Sequence, residues 1–260
     1  MTGKRILVTG AGSGFGREVA LRLAAKGHCV IAGVQIAPQI TELSAEAARR
    51  GLALDAVKLD VTCARERAQA ARWDVDVLLN NAGAGEAGAL VDLPVDIVRE
   101  LFETNVFGPL ELTQQVARGM IARGRGRIVF VSSIAGLITG AYTGAYCASK
   151  HALEAMHLEL AAHGVQIAVV NPGPYRTGFN DRMMETPRRW LDPARDAATP
   201  ETLTFPLEQF DPQEMIEKMV DVTEADGGLF RNLLPAAAEQ IVRDEQAHAW
   251  TRRQNERRGA

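Results

Sequence analysis

Residues 5–16 read Arg5-Ile6-Leu7-Val8-Thr9-Gly10-Ala11-Gly12-Ser13-Gly14-Phe15-Gly16, and this stretch decides the fold. A short apolar run stopped by Thr-Gly reads as a buried strand. Behind it, Val19, Ala20, Leu23 and Ala24 recur at helical spacing until Lys26-Gly27 supplies a basic last turn and a glycine stop. Between strand and helix stand Gly10, Gly14 and Gly16. Glycine permits positive φ in such a turn and lets backbone amides approach a diphosphate, whose charge the helix N-terminus favours. A glycine triplet alone is a weak signal, but one placed after a strand, with a second strand and helix behind it, favours a dinucleotide site over a plain tight turn.

Working outward, apolar runs alternate with helical periods. "CVIAGV" leads to a helix opened at Pro38 and closed at Gly51. Then come "LDAVKLDV", a short helix, "VDVLLNN", a long helix from about Pro94, "RIVFVSS", another helix and "VQIAVVNPG". Six such strands separated by helices imply parallel pairing with right-handed crossovers: a doubly wound α/β sheet with helices on both faces, in a single domain over 1–260. Strands covered on both faces are apolar throughout, which these are. In this architecture ligands sit at the carboxyl ends of the strands, where the chain carries "TGAGSGFG", "LDVT", "NNAG", "VSSIAG" and "NPGPYRTG". From 177 to about 212 the periodicity fails, and the large apolar residues of that stretch favour a lid over a free linker. The tail, about 235–260, reads as a helix with a solvated basic end at Arg252, Arg253, Arg257 and Arg258.

Composition narrows the function. With 47% hydrophobic residues, 23% charged and a net charge of -3, the chain has the make-up of a soluble protein with no general call for nucleic acid. No apolar run is long enough to span a membrane, and no secretory leader is legible, so the expected location is cytoplasmic. Cys29, Cys63 and Cys147 are scattered and read as reduced structural thiols. His151 and His157 lack metal-ligand spacing and read as structural or exposed.

The stretch 140–156, "GAYTGAYCASKHALEAM", spaces Tyr142, Tyr146 and Lys150 four residues apart. A phenol, with a pKa of about 10, is a poor base at neutral pH unless its anion is stabilised. Lys150 lies one helical turn beyond Tyr146 and offers a cation for that purpose. Gly144 weakens a helix through Tyr142, which leaves Tyr142 on a loop, either lining a substrate pocket or merely packing.

Taken together, the chain resembles a short-chain dehydrogenase/reductase. The marks run in order: Thr9 to Gly16, Asp60-Val61, Asn80-Asn81-Ala82-Gly83, Asn105, Ser133, Tyr146-Cys147-Ala148-Ser149-Lys150, and Asn171-Pro172-Gly173 with Thr177. They span roughly residues 4 to 180 and are specific jointly. A weaker similarity, in "YCASKHALEAM" and "NPGPYRTGF", points to the steroid and retinol dehydrogenase branch.

The resemblance implies an NAD(P)-dependent oxidoreductase that interconverts a secondary alcohol and a ketone. Tyr146 would be the general acid or base and Ser133 would hold the same substrate oxygen. Lys150 would bind the nicotinamide ribose and depress the tyrosine pKa, and Asn105 would hold a relay water. Cofactor contacts would fall on Gly10, Ser13, Gly14, Phe15, Gly16, Val61, Ala82, Tyr146 and Lys150. Asp60 would meet the adenine amine, Asn81 and Gly83 the adenosine, and Pro172, Gly173 and Thr177 the nicotinamide. Ser132 would be structural. The partners implied are a small alcohol or ketone and further copies of the chain, as a dimer or tetramer.

Two departures stand out. Val34 and Gln35 occupy the place where an acid would hold a ribose 2′-hydroxyl or a base a 2′-phosphate, and Ser13 replaces a basic residue found in many NADP users. A 2′-phosphate wants a cation, so the expectation favours NAD over NADP. The helix after Lys150 is also short by some four residues, which puts the family's usual subunit geometry in doubt. Met183, Met184, Trp190, Leu203, Phe205 and Phe210 in the lid suit an apolar ligand, and core packing explains them equally well. A non-catalytic dinucleotide sensor on the same fold is the alternative, disfavoured because such proteins tend to lose the tyrosine or the lysine.

Overall fold

The computed structural model describes residues 3–156 and 160–253. β1 (Arg5–Val8) passes through the glycine turn into α1 (Gly14–Ala25), and β2 (Cys29–Val34) into α2 (Ala37–Arg49). β3 (Asp55–Lys58), α3 (Ala64–Ala70) and β4 (Val77–Asn80) follow, then α4 (Val95–Phe102) and α5 (Gly108–Arg123). β5 (Gly126–Val131), α6 (Gly144–Ala155), β6 (Val165–Pro172) and α7 (Phe179–Glu185) come next, before α8 (Gln213–Glu224), β7 (Arg231–Leu234) and α9 (Ala236–Ala249). The strands form one sheet in the order β3-β2-β1-β4-β5-β6-β7, and every neighbouring pair is parallel. The order reverses between β1 and β4, which opens a crevice above their carboxyl ends.

The uninterrupted apolar character of the strands follows from burial on both faces. Ile6 and Val8 enter one core with Val19 and Leu23 of α1 and Met215 and Met219 of α8, while Leu7 enters the other with Leu112, Val116 and Met120 of α5. Val77 and Leu79 divide from Leu78, and Val129 and Val131 from Ile128 and Phe130, in the same alternation. Each such side chain, fully buried, contributes about 1.5–3 kcal/mol.

Three features differ from the sequence reading. The sheet has a seventh strand, β7, a four-residue run between a Gly-Gly turn and a proline that pairs with β6 from Val169↔Arg231 to Pro172↔Leu234. The long helix expected from Pro94 is interrupted by a π-helical turn, Glu103–Phe107, where Gly108 N–H donates to the Glu103 carbonyl. Pro109 explains it: lacking an N–H, it cannot serve the carbonyl four residues back, and the wider turn absorbs the mismatch. α6 ends at Ala155, and a 3-10 turn at Leu160–His163 precedes β6; His157 lies outside the described residues. The tail is helical from Ala236 to Ala249, and Arg257 and Arg258 also lie outside the described residues. No described helix is long and apolar enough to cross a membrane.

Candidate active site

The crevice is one continuous cleft. Its floor is the glycine turn, and Gly10 (φ +65°) and Gly14 (φ +54°) both adopt the left-handed conformation that the turn demands. A Cβ on Gly10 would stand 2.7 Å from Ala82 Cα, so only glycine lets the β1 and β4 loops meet. Ser13 precedes α1 without capping it by its side chain, which leaves first-turn N–H groups for an anion. Gly16 is buried, and a Cβ there would strike Asn81 Nδ2 and the Gly10 carbonyl, so its role is helix packing and it does not line the cleft. Asn81 braces the same turn: Nδ2 donates to the Thr9 carbonyl at 2.9 Å and the Gly10 carbonyl at 3.2 Å.

At the far end of β2 the structure corrects one expectation. Val34 is fully buried, its side chain part of the core beneath the sheet, and does not reach the cleft. Gln35 and Gln39 line it instead. Gln39 Oε1 accepts from the Gln35 and Ile36 amides at 3.1 and 3.3 Å, capping α2, and the side chain lies directly over Gly12. No local motif marks Gln39, because its approach to Gly12 joins two separate turns. Asp60, Val61, Ala82, Gly83, Pro172, Gly173, Thr177 and Phe15 line the cleft, as do Leu59 and Tyr175 from the quoted strand ends and Arg182, which lies in no motif.

The other end of the cleft gathers the side chains that the family likeness singled out. Ser133, Tyr146 and Lys150 all line the cleft, and the Ser133 hydroxyl accepts from the Ala135 amide at 3.1 Å. Ser132, also on the wall, donates to the Lys150 carbonyl at 3.4 Å, a structural bond. Asn105, on the π turn, is fully buried; it accepts from Ala84 N–H at 2.7 Å and donates to the Ala84 carbonyl and to Ser149 Oγ, each at 2.9 Å. Behind the cleft wall, Asn105 Oδ1 and Lys150 Nζ would both crowd a Cβ on Gly83, at 3.3 and 3.4 Å. A glycine there lets amide and ammonium approach each other.

Burial dominates the electrostatics. It pushes the Tyr146 phenol well above its ordinary range, opposed by the neighbouring Ser133 hydroxyl, while Cys147 adds to the upward push. Burial also lowers Lys150 to about 8, partly opposed by the Glu154 carboxylate. The expected depression of the tyrosine by the lysine is therefore not what this structure displays. Lys150 Nζ donates to the Val131 carbonyl at 3.0 Å and stands 5.8 Å from the Tyr146 ring centroid.

The 177–212 stretch packs on this end. Met183 and Met184 are buried in one cluster with Tyr146, Ala145, Leu93 and Leu101, and Phe179 tilts against the Tyr146 ring at 5.8 Å. Phe210 instead reaches Tyr175, 6.4 Å between centroids. Tyr142 does not line the cleft. Its backbone is left-handed (φ +59°), its carbonyl accepts from Gly88 N–H at 2.7 Å, and its side chain is largely exposed.

Comparison with known proteins agrees with this geometry. The family model for short chain dehydrogenase matches residues 4–188. The chain belongs to the short-chain dehydrogenase family. It is similar to retinol dehydrogenase 8 of Homo sapiens, 34% identical over 213 residues, covering 78% of this chain and 68% of that one. Among solved structures, a short-chain dehydrogenase from Streptomyces avermitilis superposes with a TM-score of 0.76 at 30% identity, covering 96% of this chain and 94% of that one. A single-substitution variant of actinorhodin polyketide ketoreductase, solved with NADPH, gives 0.73 at 29%, covering 89% and 95%. This short-chain dehydrogenase is thus an NAD(P)-dependent oxidoreductase with a Rossmann-like sheet. The cleft fits the cofactor: left-handed glycines, an uncapped helix start and a long wall of strand ends supply what a dinucleotide requires.

Proposed function

We propose that this protein interconverts a secondary alcohol and a ketone, with Tyr146 as the general acid and base. The observation that carries the reading is the convergence of Ser133, buried Tyr146 and buried Lys150 on one end of the dinucleotide cleft. The nicotinamide cofactor, when bound, supplies or accepts the hydride. Ser133 holds the substrate oxygen beside the phenol. In reduction Tyr146 gives its proton to that oxygen, and in oxidation it takes it back. Lys150 is the nearby cation that a developing phenolate needs, and Asn105, across Gly83 from it, would hold the water that relays its proton.

NAD is the favoured cofactor, because Ser13, Gln35 and Gln39 present no cation where a 2′-phosphate would sit. NADPH in the ketoreductase relative keeps NADP as the competing choice. An apolar substrate fits the face that Phe179 presents to the cleft beside Tyr146, backed by the buried Met183 and Met184. The chain works, on this reading, as a single-domain cytoplasmic enzyme and a homo-oligomer, with the 177–212 stretch as its substrate lid.

The test is to follow NADH and NADPH absorbance over a panel of ketones and alcohols with the wild type and Tyr146→Phe. Turnover lost in the variant supports the assignment. Tight cofactor binding with no turnover of any carbonyl would replace it with a sensor function.

A further inference from the structure

Glu154 lies on α6, one helical turn beyond Lys150 and on the side away from Tyr146. Its side chain is only 10% exposed, an unusual place for a carboxylate without a purpose. Oε1 accepts from Asn171 Nδ2 at 2.6 Å. The same Nδ2 donates to the backbone carbonyl of Ser133 at 3.2 Å, and Asn171 itself is fully buried at the end of β6. The other oxygen, Oε2, faces Arg231 Nη1 at 2.9 Å, an ion pair whose angles fall short of a hydrogen bond. Arg231 opens β7, beyond the region 4–188 that the family model matches.

These contacts form a chain from the outermost strand to the reacting end of the cleft. A buried carboxylate needs a charge partner and hydrogen-bond donors, and here the donors come from an element that ends in the cofactor wall at Pro172 and Gly173. We propose that Glu154, paired with Arg231, is a positioning residue of this site, anchoring the Ser133 strand end through Asn171 and facing Lys150 along α6. This rests on the reading of Ser133, Tyr146 and Lys150 given above.

The charges around the pair set the expected signs. Glu154 faces Lys150 on its own helix and Arg231 from β7; its contacts from β6 and from the turn after β5 are the neutral Asn171 and Gly136. Lys150 meets Tyr146 and Glu154 on α6, the Val131 carbonyl from β5 and neutral Asn105 across Gly83. Removing the carboxylate charge withdraws support from the ammonium. Removing the Arg231 charge does the opposite, since the carboxylate then acts on Lys150 without a compensating cation.

The experiment compares the wild type, Glu154→Gln and Arg231→Met. Turnover of a reactive ketone is followed against pH, and the Lys150 signal is titrated in apo-protein carrying ¹³C-labelled lysine, where the chain's few lysines keep the spectrum simple. Glu154→Gln should lower kcat about tenfold through misplacement of Ser133, with the cofactor Kd unchanged. It should also move the Lys150 midpoint down by about one pH unit, while Arg231→Met moves it up. Shifts of the same sign in both variants, or none, overturn the proposal. If Glu154→Gln does not fold, Arg231→Met decides it alone, since its half-exposed side chain leaves the core intact. Wild-type protein that binds cofactor but turns over no ketone would sink the alcohol-ketone reading, and the lysine titration would still decide the role of Glu154.

Discussion

Lys150 Nζ donates to the Val131 carbonyl at 3.0 Å, and Tyr146 meets this ammonium only at ring range, 5.8 Å from its centroid. The cation is held by the end of β5, the strand that delivers Ser133, so lysine, serine and tyrosine share one rigid support. In this state burial keeps the tyrosine protonated, which suits a group poised to donate in carbonyl reduction.

Tyr146→Phe removes the proposed proton donor while keeping the ring against Phe179 and the methionines. Carbonyl reduction should fall by about 10²–10⁴-fold, the usual worth of a positioned acid. Cofactor affinity, read by NADH fluorescence, should stay within about twofold because the phenol is one contact among many. Unchanged turnover would remove Tyr146 from the mechanism.

Lys150 titrates at about 8 in the folded protein against 10.5 when unfolded. Between these values the unfolded chain binds more protons, so stability rises with pH through that window and the charged lysine is a destabilising group below it. The slope contributed by this one group approaches about 1.4 kcal/mol per pH unit. Lys150→Met lacks that slope. Denaturant melts of the two proteins from pH 7 to pH 10.5 should therefore diverge in the wild type's favour as pH rises. Parallel curves would mean that the ammonium is not desolvated as its burial implies.

Gln39 covers Gly12 with a neutral amide and lines the cleft beside Gln35, to whose amide it is hydrogen-bonded. Gln39→Arg would offer a 2′-phosphate a charge-assisted hydrogen bond, worth about 1.5–3 kcal/mol. The NADPH to NADH affinity ratio should rise about tenfold or more, and loss of the α2 cap should cost about 1 kcal/mol of stability. Fluorescence titrations of both cofactors check this, and a wild type that already prefers NADPH strongly would defeat the NAD assignment.

What was legible in the sequence follows the range of the interactions. The glycine turn, the parallel strands and the Tyr146-Lys150 pair are encoded within a few residues of one another, by period, glycine and spacing. β7 escaped because a four-residue strand is defined only by its pairing with β6. The π turn at Asn105 depends on Pro109 further along the same helix, a breaker that the apolar period conceals. Val34 does not reach the cleft because a position counted along the family pattern does not say which way a strand's last side chain points, and this one points into the core. Gln39, Glu86 and Glu154 were missed because each acts on a partner 17 or more residues away.

Glu86 shows what holds the 177–212 stretch in place. The carboxylate is buried after β4, accepting from Arg189 at 2.6 Å and from the Trp190 indole at 3.1 Å. The Trp190 ring lies over Gly88, Ala87 and Ala89 donate to the hydroxyls of Thr186 and Thr199, and Asp92 accepts from Thr199 N–H at 2.6 Å. The stretch is therefore stitched to the loop that precedes α4, and Glu86 is its most buried charged stitch. Glu86→Ala leaves the indole donor unpaired and should lower stability by about 1–3 kcal/mol. Freed of that anchor, the segment should be cleaved faster by limited proteolysis. KM for a bulky ketone should rise more than kcat falls, because the wall around Tyr146 is loosened while the proton donor itself is untouched. Protease resistance and KM both at wild-type values would show that the apolar contacts of Met183 and Met184 hold the segment without the carboxylate.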